Sequence, residues 1–109
     1  MNNFVPILEA GSLPPGQGRT LTVEGKTLAV LNWEGTIHVL DDSCPHRGGP
    51  LGAGLVQEGI VFCPLHGWGF DLKTGVCRDR PDRPVRTYPV RVHDGRIEVC
   101  LDAKKQDPP

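Results

Sequence analysis

Apolar and polar positions trade places over short distances along this chain. Arg19 to Val23 (RTLTV), Thr36 to Leu40 (TIHVL) and Arg96 to Leu101 (RIEVCL) alternate, the spacing that sends successive side chains to opposite faces of a strand. Thr27 to Trp33 (TLAVLNW) is a nearly continuous apolar run. In a late strand, Tyr88, Val90 and Val92 share one face and Arg91 the other. Turn signals separate these runs at Glu24-Gly25, Glu34-Gly35, Glu58-Gly59, Thr74-Gly75 and Asp94-Gly95. Strands punctuated at this interval predict an antiparallel all-β domain, a sandwich or small barrel. No amphipathic helix is predicted, and Ile7 to Leu13 has room for one turn at most.

Composition agrees with that pattern. The chain has 109 residues, enough for one domain, and its 14 glycines and 11 prolines suit tight turns more than long helices. The formal net charge of −1 implies no bulk attraction to nucleic acid or to a membrane surface. No apolar run approaches the length of a membrane span, and the N-terminus lacks the basic start and apolar stretch of a signal peptide. A cytoplasmic protein is expected. In a reducing compartment its four cysteines are ligands or buried thiols before they are disulfides.

Two short stretches carry the chemistry. CPHRGG (Cys44 to Gly49) and CPLHGWGF (Cys63 to Phe70) each hold a cysteine, a proline, a histidine and then glycine. The pattern is Cys44-x-His46, sixteen intervening residues, and Cys63-x-x-His66. A lone buried cysteine behaves as a small hydrophobe. Two mixed Cys/His pairs at close spacing instead point to a metal site. Such a donor set suits tetrahedral zinc, and equally a [2Fe–2S] cluster with two cysteines on one iron and two histidines on the other. The loops favour the cluster, whose sulfides need backbone N–H donors close by. Gly48, Gly49, Gly67 and Gly69 sit where that demand arises, while Pro45 and Pro64 stiffen the loops.

These boxes, Cys44-Pro-His46-Arg-Gly and Cys63-Pro-x-His66-Gly-Trp, resemble the cluster-binding boxes of Rieske proteins, and the resemblance runs from about Val5 to Leu101. Within that family the chain is similar to small bacterial Rieske-type ferredoxins and to the small subunit of NAD(P)H-dependent nitrite reductase. The resemblance implies one [2Fe–2S] cluster per chain, with Cys44 and Cys63 on the inner iron and His46 and His66 on the outer. It implies a Rieske-type antiparallel β-sandwich or barrel, residues 1–101, with a cluster-binding sub-domain at about 42–85. A polar tail follows at 102–109. Respiratory Rieske proteins carry an extra disulfide between their boxes. The equivalent positions here are Gly49 and Leu65, so none can form. The serine and tyrosine hydroxyls that donate to cluster sulfurs in those relatives are replaced by Trp68 and Phe70. Losing both donors predicts a potential near the low end of the Rieske range, about −150 mV.

Two imidazoles in place of two thiolates leave the oxidised cluster uncharged, so it accepts an electron more readily than a four-thiolate cluster. The chain has no nucleophile–base pair of recognisable spacing and no room for a further iron domain, so it reads as a one-electron carrier. Two destinations compete: a ferredoxin between a flavoprotein reductase and a terminal oxygenase, or a subunit joined to a nitrite reductase large subunit. A zinc-stabilised binding module is the reading from another class.

Cys77 to Arg86 (CRDRPDRPVR) is either an ordinary solvated connection or a docking patch. By resemblance it covers the cluster, through Pro81 and Pro84. With Arg47 it makes the cluster end mildly basic. Trp68 is expected to shield the site from water, and Pro50 and Leu51 to pack the first loop onto the base. His38 should point outward from its strand and His93 should lie at the surface. Cys77 and Cys100 are expected as buried or half-buried thiols, with a disulfide between them left open.

Overall fold

The structure, a computed structural model, describes residues 3–45, 48–65 and 67–101. The polar tail at 102–109 lies outside them. Among the described residues ten strands follow in order: β1 (Phe4–Glu9), β2 (Gly18–Val23), β3 (Lys26–Trp33), β4 (Thr36–Asp41), β5 (Leu55–Gln57), β6 (Ile60–Phe62), β7 (Gly69–Asp71), β8 (Thr87–Tyr88), β9 (Val90–His93) and β10 (Arg96–Cys100). Among the described residues, the helical pieces are single 3-10 turns at Ala10–Ser12 and Leu51–Ala53. The strands form three antiparallel sheets, ordered β1-β10-β9, β2-β3-β4-β8 and β5-β6-β7. The all-β expectation holds.

β3 explains the layering. Its continuous apolar run is buried on both faces: Leu28 and Val30 join Val39, Tyr88 and Val99 in one core, while Ala29 and Leu31 join Leu40, Leu51, Val61 and Phe70 in another. The period-two geometry of a strand divides the run between the two cores. From Leu28 to Leu31 both faces are covered, which is why the run does not alternate, and the buried Asn32 that follows is satisfied by donating to the Leu13 carbonyl at 2.8 Å. The hairpins close where the sequence placed its turns. At Glu24-Gly25, Glu34-Gly35, Glu58-Gly59 and Asp94-Gly95 both residues have positive φ, the geometry that matches the twist of a two-residue hairpin.

One expectation changes. The late strand is two strands, because Pro89 cannot donate to a ladder. β8 pairs with β4 and β9 with β10, in different sheets. Val92 is accordingly exposed. Ile7 to Leu13 makes one turn, as expected, a 3-10 turn at Ala10–Ser12 after its first three residues end β1. All residues between β4 and β8, 42–86, leave the middle sheet and return to it. The exit and return are pinned by Asp41 N–H donating to the Arg86 carbonyl at 2.9 Å.

Candidate metal centre

Both ligand loops fold as the same turn. In the first, Cys44 N–H donates to the Gly49 carbonyl (2.9 Å) and Gly48 N–H donates back to the Cys44 carbonyl (2.7 Å). In the second, Cys63 N–H donates to the Trp68 carbonyl (2.8 Å) and Gly67 N–H to the Cys63 carbonyl (2.9 Å). The offsets from the cysteine, four and five residues, are identical, although the histidine falls one position later in the second box. The fourth residue of each turn has φ near the left-handed region, +74° at Gly48 and +77° at Gly67, which accounts for glycine there.

The loops meet. A Cβ on Gly49 would lie 2.5 Å from Cys63 Sγ and 3.0 Å from Leu65 Cγ. Gly49 and Leu65, the positions that carry the extra cysteines in respiratory relatives, therefore face each other across the gap. Cys44 and Cys63 are buried in one apolar cluster with Ala29, Leu31, Leu51 and Phe70. Their neighbours Pro45, Gly48, Pro64 and Leu65 are exposed, so two buried thiols sit directly beneath an exposed tip. His46, Arg47 and His66 lie outside the described residues.

The first loop is anchored at its base. The Asp42 carboxylate accepts from the Thr20 hydroxyl (2.8 Å) and from Gly52 N–H (2.7 Å), and its carbonyl accepts from Leu51 N–H (2.7 Å). Ser43 and Pro50 bridge just above. Leu51 is fully buried, as expected for a residue seating the loop on the base, whereas Pro50, expected to pack with it, is exposed. The second loop is held by the segment after Cys77. Gly69 N–H donates to Asp79 Oδ2 (2.9 Å), and Arg78 N–H donates to the Gly69 carbonyl (2.8 Å). The Arg80 guanidinium lies 6.0 Å from the Trp68 ring centroid and also pairs with Asp82 at 3.3 Å. Its hydrogen bond holds the Asp82 carboxyl below its ordinary value.

Several sequence expectations can now be placed. Trp68 is half-buried against the thiol-bearing core. The contacts of the arginine-rich segment run through Arg78, Asp79 and Arg80, while Pro81 and Pro84 are exposed. The N–H groups of Gly48, Gly67 and Gly69 are taken by protein acceptors. Those glycines serve turn geometry and clearance more than donation to sulfide. Cys77 and Cys100 are buried thiols with no disulfide between them. Cys77 Sγ accepts from Arg80 N–H at 3.4 Å. His93 is exposed, whereas His38 is half-buried and lines a cleft with Leu72 and Lys73. Asp42 and Asp79 were not singled out from sequence. An aspartate beside a ligand box has no distinguishing spacing, and its role appears only once its partners are known.

The donor set fits an iron–sulfur cluster. Thiolate sulfur is its required protein ligand, and here two thiols converge from separate loops with glycine clearing the space beside one of them. The comparisons with known proteins agree. A family model described as the Rieske [2Fe-2S] domain matches residues 3–89. The ferredoxin component of the naphthalene 1,2-dioxygenase system of Pseudomonas aeruginosa is 34% identical over 90 residues, covering 82% of this chain and 86% of that protein. A protein described as an NADH-dependent nitrite reductase small subunit from Mycobacterium tuberculosis superposes with a TM-score of 0.88 at 27% identity, covering 94% of this chain and 98% of that one. A chain in the complex of reduced oxygenase and oxidised ferredoxin of carbazole 1,9a-dioxygenase gives 0.85 at 26% identity, covering 98% and 100%. Paired boxes on matching turns, over a three-sheet frame shared with these relatives, make the chain a member of the Rieske [2Fe–2S] domain family.

Proposed function

We propose that this protein is a one-electron carrier, the ferredoxin component that passes electrons from a flavoprotein reductase to a terminal oxygenase. Cys44, His46, Cys63 and His66 would hold one [2Fe–2S] cluster, within a sub-domain at about 42–85. When bound, that cluster supplies one-electron redox chemistry. The chain's own residues do the rest. The twin turns orient the two thiols, the apolar cluster around them keeps water from the sulfurs, and Trp68 extends that cover. The observation that carries the proposal is the placement of two buried thiols immediately under an exposed loop tip, which gives an electron a short route to a docked partner. Among the described residues no helix is long and apolar enough to cross a membrane, and all four cysteines are thiols, as the cytoplasm would keep them.

The relatives support the oxygenase destination: a ferredoxin component of a dioxygenase system matches over most of both chains, and a similar structure is a complex of oxygenase and ferredoxin. The likeness to a nitrite reductase small subunit supports the second reading, in which the same centre serves a nitrite reductase large subunit. Electron paramagnetic resonance of the dithionite-reduced, anaerobically purified protein should give a Rieske-type signal, with iron and acid-labile sulfide in equal amounts. Zinc without iron would overturn the reading. Mixing the reduced protein with an aromatic-ring dioxygenase, or with a nitrite reductase large subunit, then separates the two destinations by which partner it reduces.

A further inference from the structure

Three consecutive residues, Arg78, Asp79 and Arg80, each grip the second ligand loop or the strand leading into it. Arg78 N–H donates to the Gly69 carbonyl and Asp79 Oδ2 accepts from Gly69 N–H, so both backbone groups of Gly69 are bound by adjacent residues. The Arg78 guanidinium lies 5.8 Å from the Phe62 ring centroid, one residue before Cys63. A Cβ on Gly69 would come within 2.7 Å of Arg78 Cδ and 3.0 Å of Phe62 Cε1, so glycine is what lets the arginine cross. Arg80 covers Trp68 from above, steered by Asp82, while its N–H donates to Cys77 Sγ in the core. A solvated connection would not make this set of contacts.

We propose that Asp79 is a positioning residue for the metal centre. Its carboxylate pins Gly69 N–H and so fixes the downstream end of the loop bearing Cys63 and His66, with Arg78 and Arg80 bracing either side. The inference rests on the reading that this loop holds the cluster, and it adds which side chain outside the loop sets its position. The acceptor is the essential feature, because the bond to Gly69 is made by one oxygen, Oδ2. An asparagine side chain offers an equivalent oxygen and an alanine offers none.

The test compares the holoprotein with its D79A, D79N and R80A variants by two readouts, amide hydrogen exchange over residues 67–70 and iron release to a ferrous chelator. Losing a charge-assisted hydrogen bond should speed both in D79A by about 10–100-fold. D79N, which keeps an acceptor oxygen but loses its charge, should fall between the wild type and D79A in both. R80A, which keeps Asp79, should accelerate exchange at Gly69 by less than about fivefold, the weight of an exposed cation–π contact. Unchanged exchange in D79A, or acceleration in D79N or R80A equal to that of D79A, would overturn the proposal. Wild-type protein purified without iron would overturn the cluster reading instead, and the exchange data would still decide the role of Asp79.

Discussion

Replacing Gly75 by alanine should destabilise the protein far more than the same change at Gly25, although the two backbones are almost the same there. Gly75 has φ +79° and Gly25 φ +82°, so both substitutions force an L-residue into the left-handed region, at about 1–2 kcal/mol. Around Gly25 nothing lies within 4 Å of the new Cβ. At Gly75 that Cβ would lie 2.1 Å from the Val85 carbonyl oxygen and 3.1 Å from Thr87 Cγ2. A backbone oxygen cannot swing aside as a side chain does. The two segments must separate by about 1 Å to reach ordinary contact. That separation strains the bond from Val85 N–H to the Gly75 carbonyl, 2.9 Å in the structure, worth about 1 kcal/mol. Overpacking adds about 1–3 kcal/mol.

The expected total for Gly75→Ala is therefore about 3–6 kcal/mol, against about 1–2 for Gly25→Ala. For a domain of this size the melting temperature should fall by roughly 15–30 °C in the first case and 5–10 °C in the second. Calorimetry or far-ultraviolet circular dichroism on proteins of matched iron content reads the difference. Val85 packs in the same core as Cys44 and Cys63, so Gly75→Ala should also lose iron faster. Equal melting temperatures for the two variants would refute the reasoning. They would mean that the return segment at 85–87 yields without cost.

Three further outcomes follow from particular residues. Leu31 is fully buried in the core that contains the thiols, so Leu31→Ala should cost about 2–5 kcal/mol in urea unfolding, and a loss under about 1 kcal/mol would count against that packing. Burial, and then the hydrogen bond to Asp41, raise the pKa of Tyr88, the chain's one tyrosine. A raised folded-state pKa contributes stability that is whole below the ordinary value of 10.0 and is lost as pH climbs through the folded value. The alkaline limb of the stability curve should therefore flatten in Tyr88→Phe, and an unchanged slope above pH 10.0 would contradict it. Protein-film voltammetry should place the reduction potential near about −150 mV, because Trp68 and Phe70 bring no hydroxyl to the cluster sulfurs, and a value above about +100 mV would be incompatible.

The parts of this molecule legible in the sequence are those governed by local chemistry. Glu-Gly and Asp-Gly pairs fix hairpin turns through backbone geometry alone, and the two boxes show their cysteines and glycines at a spacing that folds as matching turns. The strands β2, β3, β4 and β10 follow from side-chain alternation or its absence. What stayed hidden depends on contacts between distant segments. Nothing in Tyr88 to Val92 shows that Pro89 hands the chain from one sheet to another. The reason is the pairing of β8 with β4, almost fifty residues upstream. Asp42 and Asp79 look like any surface aspartate until Gly52 and Gly69 are seen donating to them. The arginine-rich segment reads as solvated because its charges nearly balance, yet its contacts run through ring faces and backbone groups, which charge counting does not register.

The way the site is inserted also couples it to the rest of the fold. Residues 42–86 form one excursion from the middle sheet, closed by β4 and β8, which pair through only two residues each. Closing a loop of that length costs about 3 kcal/mol in chain entropy. A two-residue pairing cannot offset this, but burying Phe70 and Leu51, at about 1.5–3 kcal/mol each, can. Both side chains pack against Ala29 and Leu31 on one face of β3, in the cluster that includes Cys44 and Cys63. The excursion therefore stays docked through the same surface that positions the thiols. The opposite face of β3, carrying Leu28 and Val30, belongs to the other core. One strand thus divides the molecule into a side whose packing holds the two thiols of the paired loops and a side whose packing holds only the scaffold.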